Sequence, residues 1–179
     1  MKPVVRDTSW CRFPSAAAAY RPWLRDRGSL TRRIERRCPA LGVKVVFQGL
    51  RRANRDERLL FRLRGGHRKV LVREVYLYCR RTPLVFAHSV IDARDLRGTW
   101  RRLMGLGSRP LGAALFADPR IERYPLRQKK IGRHHELYRR AAAVLSRKPP
   151  TLWARRSLFA LRGSPILVTE VFLPGILKL

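Results

Sequence analysis

The sequence predicts an α+β fold: one domain built on a single antiparallel β-sheet of about six strands, with helices inserted between groups of strands. Two observations predict it. Runs rich in β-branched and aromatic residues recur between turns of glycine, proline or charged residues. Helical patterns separate these runs into groups, and neither an internal repeat nor a low-complexity linker divides the chain. Residues 1–179 are therefore expected to form a single domain, beginning with an irregular segment at 1–21.

The first regular element is expected to be a helical hairpin at 23–38. Gly28 interrupts the helical pattern, and Ser29 can cap a second helix with its side-chain oxygen. Strands should follow wherever β-branched and aromatic residues dominate, which they do at 43–50, 58–64, 70–78 and 84–91.

The second half of the chain continues with helices and closes with a pair of strands. Helical patterns occupy 100–104, 108–116 and 134–145. The last two strands are expected at 157–161 and 166–173. The residues between them, Arg162-Gly163-Ser164-Pro165, make a plausible hairpin loop.

The chain is strongly basic. It has 41 Lys and Arg against 12 Asp and Glu, a formal net charge of +29. Such a surface attracts anions of every kind, from nucleic acids to small polyanionic metabolites. The basic residues are mostly arginine and are spread along the whole chain, so the charge alone does not separate a polyanion-binding protein from an enzyme with an arginine-rich composition.

The cysteines and the apolar runs indicate in which cellular compartment the protein is expected. Cys11, Cys38 and Cys79 lie far apart without a CxxC pair, which argues against a disulfide framework and for a reducing compartment. No apolar run reaches the roughly 18–20 residues that cross a bilayer. The alanine tract at 16–19 is too short for the core of a signal peptide. We therefore expect a cytoplasmic protein.

Two charged residues interrupt apolar strand faces. Alternation along 70–78 puts Arg73 on the same face as Leu71 and Val75, and alternation along 166–173 puts Glu170 among apolar neighbours. A buried charge costs several kcal/mol unless it is paired or contacts a ligand. Both residues are thus candidates for ligand binding. Three alternatives remain open: they pair with each other, their faces are solvated, or the inward face of 70–78 is misassigned.

Weaker signals come from a histidine and a helix start. His88 shares a strand face with apolar residues, as a hydrogen-bonded core histidine also would. Leu111 lies at the expected start of the helix at 108–116, where backbone amides without intrahelical partners can bind a carboxylate. The His134-His135-Glu136 run lacks the spacing of a metal site, and no nucleotide-binding motif is present, so we expect neither metal nor cofactor.

Several blocks of sequence together resemble bacterial chorismate pyruvate-lyase. They occur in the family's order from residue 23 to 174, and LW-x-RRS followed by TEVFLP is the most specific part. The blocks are Trp23-Leu24, Ser29-Leu30-Thr31 with Arg33, Leu71-Val72-Arg73-Glu74-Val75-Tyr76-Leu77, Arg109-Pro110-Leu111-Gly112-Ala113-Ala114-Leu115-Phe116, Leu152-Trp153-Ala154-Arg155-Arg156-Ser157 and Leu167-Val168-Thr169-Glu170-Val171-Phe172-Leu173-Pro174.

The resemblance implies a cofactor-free lyase that converts chorismate to 4-hydroxybenzoate and pyruvate, the first committed step toward ubiquinone. It also implies helix-turn-helix flaps that close an internal ligand pocket against the antiparallel sheet. Arg73 would pair with the ring carboxylate, helped by the backbone amides of Leu30 and Leu111. Glu170 would hydrogen-bond the ring hydroxyl.

Two further contacts are less well supported by the resemblance. His88 stands where some relatives carry arginine, so the resemblance does not carry a guanidinium contact over to this position. Arg155 or Arg156 could meet the second carboxylate of chorismate, although a surface charge on the strand is the stronger reading. We expect a monomer that binds small molecules, without a specific nucleic-acid partner.

Two other functions remain open at this point. One is a ligand-binding module that does no chemistry, since the family's fold resembles the effector domain of certain bacterial transcription regulators. The other is a basic nucleic-acid-binding protein, which the net charge favours and the placement of most aromatics in apolar strand runs opposes.

Overall fold

One antiparallel sheet of seven strands forms the protein, seen in a computed structural model that describes residues 10–11, 18–61, 69–101, 105, 107 and 109–179. The strand order is β1-β2-β3-β7-β6, and β4 and β5 pair one after the other with the outer edge of β6. The predicted fold class is confirmed. The strands are β1 Leu41–Arg52, β2 Lys69–Cys79, β3 Thr82–Asp92, β4 Glu122–Arg123, β5 Arg127–Gly132, β6 Thr151–Leu161 and β7 Ser164–Phe172.

Five short α-helices lie among the strands. The predicted helical hairpin is present as the first two of them, and the Ser29 hydroxyl accepts a hydrogen bond from the backbone N–H of Arg32 at 3.4 Å, as an N-cap does. The helices are α1 Arg21–Arg25, α2 Leu30–Glu35, α3 Arg55–Leu60, α4 Leu111–Ala117 and α5 Glu136–Ala141. Further 3₁₀ turns span Ala18–Tyr20, Ala93–Arg97, Ala142–Val144 and Pro174–Lys178.

The strand expected at 58–64 is wrong, because α3 occupies the first part of that range and 62–64 lie outside the described residues. A capping box explains the helix. The Asn54 side chain accepts from the backbone N–H of Glu57, and the Glu57 carboxylate accepts from that of Asn54, both at 2.9 Å.

Other boundaries also differ from expectation. Trp100 lies in a turn, and 102–104 are outside the described residues. The helix expected at 108–116 begins only at Leu111, after Pro110, and Ser108 is not described. The helix expected at 134–145 is α5 with the 3₁₀ turn after it. Arg162 and Gly163 turn the β6–β7 hairpin with φ of 52° and 78°.

Helices cover both faces of the sheet. We call the face that carries Arg73 the front face: α1 and α2 pack there on the apolar side chains of β2 and β7, and α4 packs on the neighbouring part of the same face. On the back face, α5 and α3 cover two further apolar clusters. Trp10, from the segment expected to be irregular, is buried in the cluster under α5. No described helix is long and apolar enough to cross a membrane.

Cys38 and Cys79 form a disulfide, so the expectation of unpaired cysteines is wrong. The pairing of β1 with β2 explains the contact. Leu41, which starts β1, lies opposite Cys79, and Cys38 precedes it by one short turn after α2. The bond therefore ties the end of the helical hairpin to the sheet. Cys11 is free and exposed.

Candidate functional site

A small cavity lies on the front face, between the sheet and the starts of α2 and α4. Its wall is mainly apolar, with side chains from β2, β3, β6 and β7 below and from the two helices above. The cavity has a volume of about 50 Å³. A cavity of about 150 Å³ accepts benzene. A benzoate-sized ligand therefore needs the helices to move outward, as flaps would.

Arg73 lines this cavity from the middle of β2. Its side chain is 5% exposed, and Nη2 donates to the backbone carbonyls of Gly107 at 2.7 Å and Arg109 at 3.2 Å. The buried Nε has no hydrogen-bond partner among the described residues, and none of their carboxylates pairs with this guanidinium. Burial lowers the pKa of Arg73 from its usual value. An anion in the cavity would satisfy Nε and compensate the charge.

Glu170 lines the same cavity from β7, and its carboxylate is already held by Arg155 on β6. Arg155 Nε donates to Glu170 Oε2 at 2.5 Å, and its Nη1 donates to the backbone carbonyls of Trp23 and Asp26, each at 2.7 Å. Arg155 is only 1% exposed. The reading of Arg155 as a surface charge is therefore wrong: it orients Glu170 and fastens the α1–α2 hairpin over the cavity.

Arg73 and Glu170 thus project into one cavity from different strands. They do not pair with each other: the carboxylate of Glu170 is bonded to Arg155, while the guanidinium of Arg73 is bonded to backbone carbonyls. One strand, β3, separates β2 from β7, so two strand spacings, roughly 10 Å, lie between their backbones.

Leu30 and Leu111 stand above Arg73 at matching positions. Leu30 is the first residue of α2 and Leu111 the first residue of α4, and both line the cavity. The first amides of a helix have no intrahelical partner. The two helix starts also approach each other, since a Cβ built on Gly112 would lie 3.3 Å from the Thr31 hydroxyl oxygen. The structure therefore brings the four main residues that the sequence predicted around one cavity.

His88 lies elsewhere, on the back face, which corrects its candidacy as a contact in the cavity. It pairs with Glu74 across β2 and β3, one residue out of phase with Arg73. Its Nδ1 lies 3.0 Å from Glu74 Oε1, and its Nε2 lies 2.8 Å from Glu57 Oε1. Arg156 also points away from the cavity, because it follows Arg155 along β6.

The charges around His88 compensate one another. Burial alone would lower the pKa of His88, but the hydrogen bonds to Glu57 and Glu74 outweigh burial and raise it. Burial would likewise raise the pKa of Glu74, but hydrogen bonds from His88 and Arg140 lower it. With a carboxylate at each ring nitrogen, the imidazole donates from both and is held as a cation. This cluster is a paired core network and not an open site.

The sequence patterns missed one charged residue of the cavity, Arg123. It lies on β4, a strand of two residues, too short for alternation to be visible. Its Nε and Nη2 donate to the Ser157 hydroxyl at 3.3 and 3.0 Å, and its Nη1 contacts the backbone carbonyl of Arg27. Burial and the neighbouring Arg155 lower the pKa of Arg123, and the carboxylates of Glu170 and Asp26 offset part of this effect.

Three guanidinium groups and one carboxylate around a closed, mainly apolar cavity define a binding site for a small organic anion. The protein is thus of the class that encloses such a ligand between an open antiparallel sheet and short helical flaps. The chorismate lyase family model matches residues 8–178, and the chain belongs to that family. The membership that the sequence blocks predicted is confirmed.

Curated relatives are similar over nearly their whole length. A probable chorismate pyruvate-lyase of Nitrosospira multiformis is 52% identical over 174 residues, covering 96% of each chain. Another of Nitrosomonas europaea is 53% identical over 172 residues, with the same coverage. A third, of an Azoarcus strain, is 52% identical over 178 residues, covering 96% of this chain and 93% of the relative.

Solved structures share the fold at much lower identity. The C-terminal domain of PhnF superposes with a TM-score of 0.58 at 13% identity, covering 75% of this chain and 83% of that one. A GntR-family transcriptional regulator of Bacillus cereus gives 0.55 at 10% identity, covering 75% and 92%. These similarities confirm the expected resemblance of the fold to regulator domains. At such low identity they concern the fold and say nothing of function.

Proposed function

We propose that the protein catalyses, in this cavity, the elimination of pyruvate from chorismate. The other product is 4-hydroxybenzoate, the precursor that ubiquinone synthesis requires. One observation supports this most directly: the buried guanidinium of Arg73 has an unpartnered Nε and no carboxylate partner among the described side chains. The names of the relatives supply the substrate, and the cavity supplies a place for its ring and its charge.

Arg73 binds the ring carboxylate in this proposal. A charge-assisted pair in a dry site is both strong and directional. The backbone amides of Leu30 and Leu111 complete the carboxylate site from the flaps, so the substrate itself joins the helical hairpin and α4 to the sheet.

Glu170 binds the ring hydroxyl. Arg155 holds one carboxylate oxygen, Oε2, and the other oxygen has no hydrogen bond among the described residues. A carboxylate fixed at one oxygen presents the second in a defined direction. The hydroxyl of the ring can donate to it, which orients the carbon that will lose its hydrogen.

The reaction is an elimination coupled to aromatisation. The ether C–O bond breaks with its electron pair going to enolpyruvate, and the adjacent ring carbon loses a proton whose bonding electrons complete the aromatic ring. Enolpyruvate then takes up a proton and becomes pyruvate. The protein orients the ring and stabilises the charge that develops on the departing group. The conversion is redox-neutral and therefore needs no redox cofactor. We propose that it needs no metal ion either, because aromatisation drives it; full turnover after exhaustive dialysis against a chelator is the expected result.

The test compares two arginine variants in an assay that follows pyruvate and 4-hydroxybenzoate together. Arg73→Gln removes the partner of a buried carboxylate, which typically costs on the order of 2–5 kcal/mol, or roughly 30- to 4,000-fold in kcat/KM. Arg139→Gln is the matched control, since Arg139 is exposed on α5 over the back face. Near-normal turnover by Arg73→Gln would refute the role, and a wild-type protein that binds chorismate without releasing pyruvate would favour a ligand-binding module.

We also propose that the protein acts as a monomer in the cytoplasm. The Cys38–Cys79 disulfide argues against a reducing compartment, so the compartment is the part of this proposal that the fractionation below must decide. The edge strand β1 has a register shift between Val45 and Phe47 and carries Lys44 and Arg51, features that discourage edge-to-edge pairing. The net charge of +29 opposes self-association further. Sedimentation analysis should give a monomer mass, and cell fractionation should place the enzyme with cytoplasmic markers.

A further inference from the structure

The roles above leave Arg123 without a function, although its side chain reaches the same cavity. Arg123 is not an ordinary surface arginine, because it is half-buried and its guanidinium lies over the rings of Phe116 and Phe159 at 4.9 and 5.4 Å. Its hydrogen bonds go to a hydroxyl and a backbone carbonyl, and no described carboxylate bonds to it.

The charges of the cavity point to a ligand with two negative groups. Arg155 and Glu170 form an ion pair and cancel each other. Arg73, which is buried, and Arg123, which is half-buried and interacts with the carboxylates of Glu170 and Asp26 only electrostatically, remain without a hydrogen-bonded carboxylate among the described residues. Such charges are costly unless an anion compensates them. One monoanion leaves one of them uncompensated, whereas a dicarboxylate satisfies both.

The positions of the two cations fit the two ends of such a ligand. Arg73 and Ser157 lie in one row across the sheet, because Arg73 pairs with Ser89, Ser89 with Val168, and Val168 with Ser157. Three strand spacings, roughly 14 Å, separate the first and last backbones of that row. Arg73 extends into the cavity from one end, and the guanidinium of Arg123 sits on Ser157 at the other.

Glu170 stands between the two cations, on β7 and next to Arg155. On the ring of chorismate, the carbon that bears the hydroxyl is likewise next to the carbon that bears the enolpyruvyl ether. With the ring hydroxyl at Glu170 and the ring carboxylate at Arg73, two orientations related by a half-turn about that axis remain, and one of them directs the enolpyruvyl group toward β6 and Arg123.

From this placement we infer that Arg123 binds the carboxylate of the enolpyruvyl group and thereby selects the dicarboxylate substrate. The inference rests on the proposed function and adds a residue to it. Since the departing enolpyruvate carries that carboxylate away, Arg123 also steadies the charge that develops on it. A second cavity of about 380 Å³ is also lined by Arg123, together with Arg25 and Arg27.

The test measures chorismate turnover and 4-hydroxybenzoate binding on the same variants. For Arg123→Gln, kcat/KM for chorismate should fall about 30- to 1,000-fold, as for loss of a desolvated ion pair. The dissociation constant for 4-hydroxybenzoate, which has no enolpyruvyl group, should change less than about threefold. Arg123→Lys should recover part of the loss, because it keeps the charge without the bidentate geometry. Arg139→Gln removes the same charge from the back face and should match the wild type in both assays.

The outcomes separate this inference from the proposed function. If Arg123→Gln lowers chorismate turnover and 4-hydroxybenzoate binding equally, Arg123 is structural and the inference is wrong. It is equally wrong if the variant turns over chorismate normally. Failure of the proposed function would appear differently, as a wild-type protein that binds chorismate and 4-hydroxybenzoate but releases no pyruvate.

Discussion

The cluster around His88 should make the stability of this protein depend on pH in a defined direction. The folded protein raises the pKa of His88 above the ordinary 6.5, because Glu57 and Glu74 both bond to its ring. A group with a raised pKa contributes stability that is fully present below pH 6.5 and is lost as the pH rises through the folded value. Above 6.5 the free energy of unfolding should therefore fall by up to about 1.4 kcal/mol per pH unit.

Glu74 makes the free energy of unfolding depend on pH in the opposite direction, at acid pH. Its pKa is lowered in the folded protein from the ordinary 4.5, where bonds from His88 and Arg140 outweigh burial. Its contribution is present above 4.5 and is lost as the pH falls through the lowered value. The cluster is therefore most stabilising between these two limits.

Urea unfolding of the wild type and of His88→Gln, at steps from pH 6 to pH 9, measures the effect. At pH 6 the variant should be less stable by on the order of 3–5 kcal/mol, since two buried carboxylates lose a charged partner. The difference should shrink as the pH rises. Burial raises the pKa of nearby Tyr76 to about 12, so the ionisation of this tyrosine stays outside the range. His134→Gln, which removes an exposed imidazole, is the control. A difference that stays constant or grows with pH would refute the reasoning.

Two other features should show in unfolding measurements. Reducing the Cys38–Cys79 bond, which closes a loop with a sequence separation of 41, should lower the free energy of unfolding by on the order of 4 kcal/mol; equal midpoints with and without dithiothreitol would contradict this. Gly175→Ala should cost about 1–3 kcal/mol, because a Cβ there would lie 2.5 Å from the backbone carbonyl of Pro83. Gly42→Ala, with open space around it, is the control, and similar losses in both variants would argue against the clash.

The parts of the site that could be predicted from sequence are those set by local alternation. Arg73 and Glu170 each stand alone among apolar residues on one side of a strand, and a strand's two-residue period fixes which neighbours share that side. The same argument puts His88 on the opposite side of its strand from residues 87 and 89. It did not say which side of β3 faced the cavity, because both sides are apolar.

The parts that could not be predicted depend on contacts distant in sequence. Arg155 meets the backbone of residues 23 and 26 only because the hairpin folds over β6. The disulfide forms only because β1 pairs with β2. The short run at 58–64 is apolar enough for a strand or a helix, and the reciprocal bonds between Asn54 and Glu57 decide for the helix. The first two outcomes follow from tertiary structure and have no signature in spacing. The capping box does have one, since Asn54 followed three residues later by Glu57 marks a helix start, but the strand prediction for 58–64 did not use it.

The two faces of the sheet show how buried charges with different purposes can be told apart. On the back face, each carboxylate around His88 has a cationic partner, and the group is complete as it stands. On the front face, Arg73 is buried and Arg123 half-buried, and their hydrogen-bond partners among the described residues are all neutral. Because an unpaired buried cation lowers stability, its persistence beside a cavity indicates that its partner arrives with the ligand. Chorismate carries two carboxylates, and the front face holds two such cations.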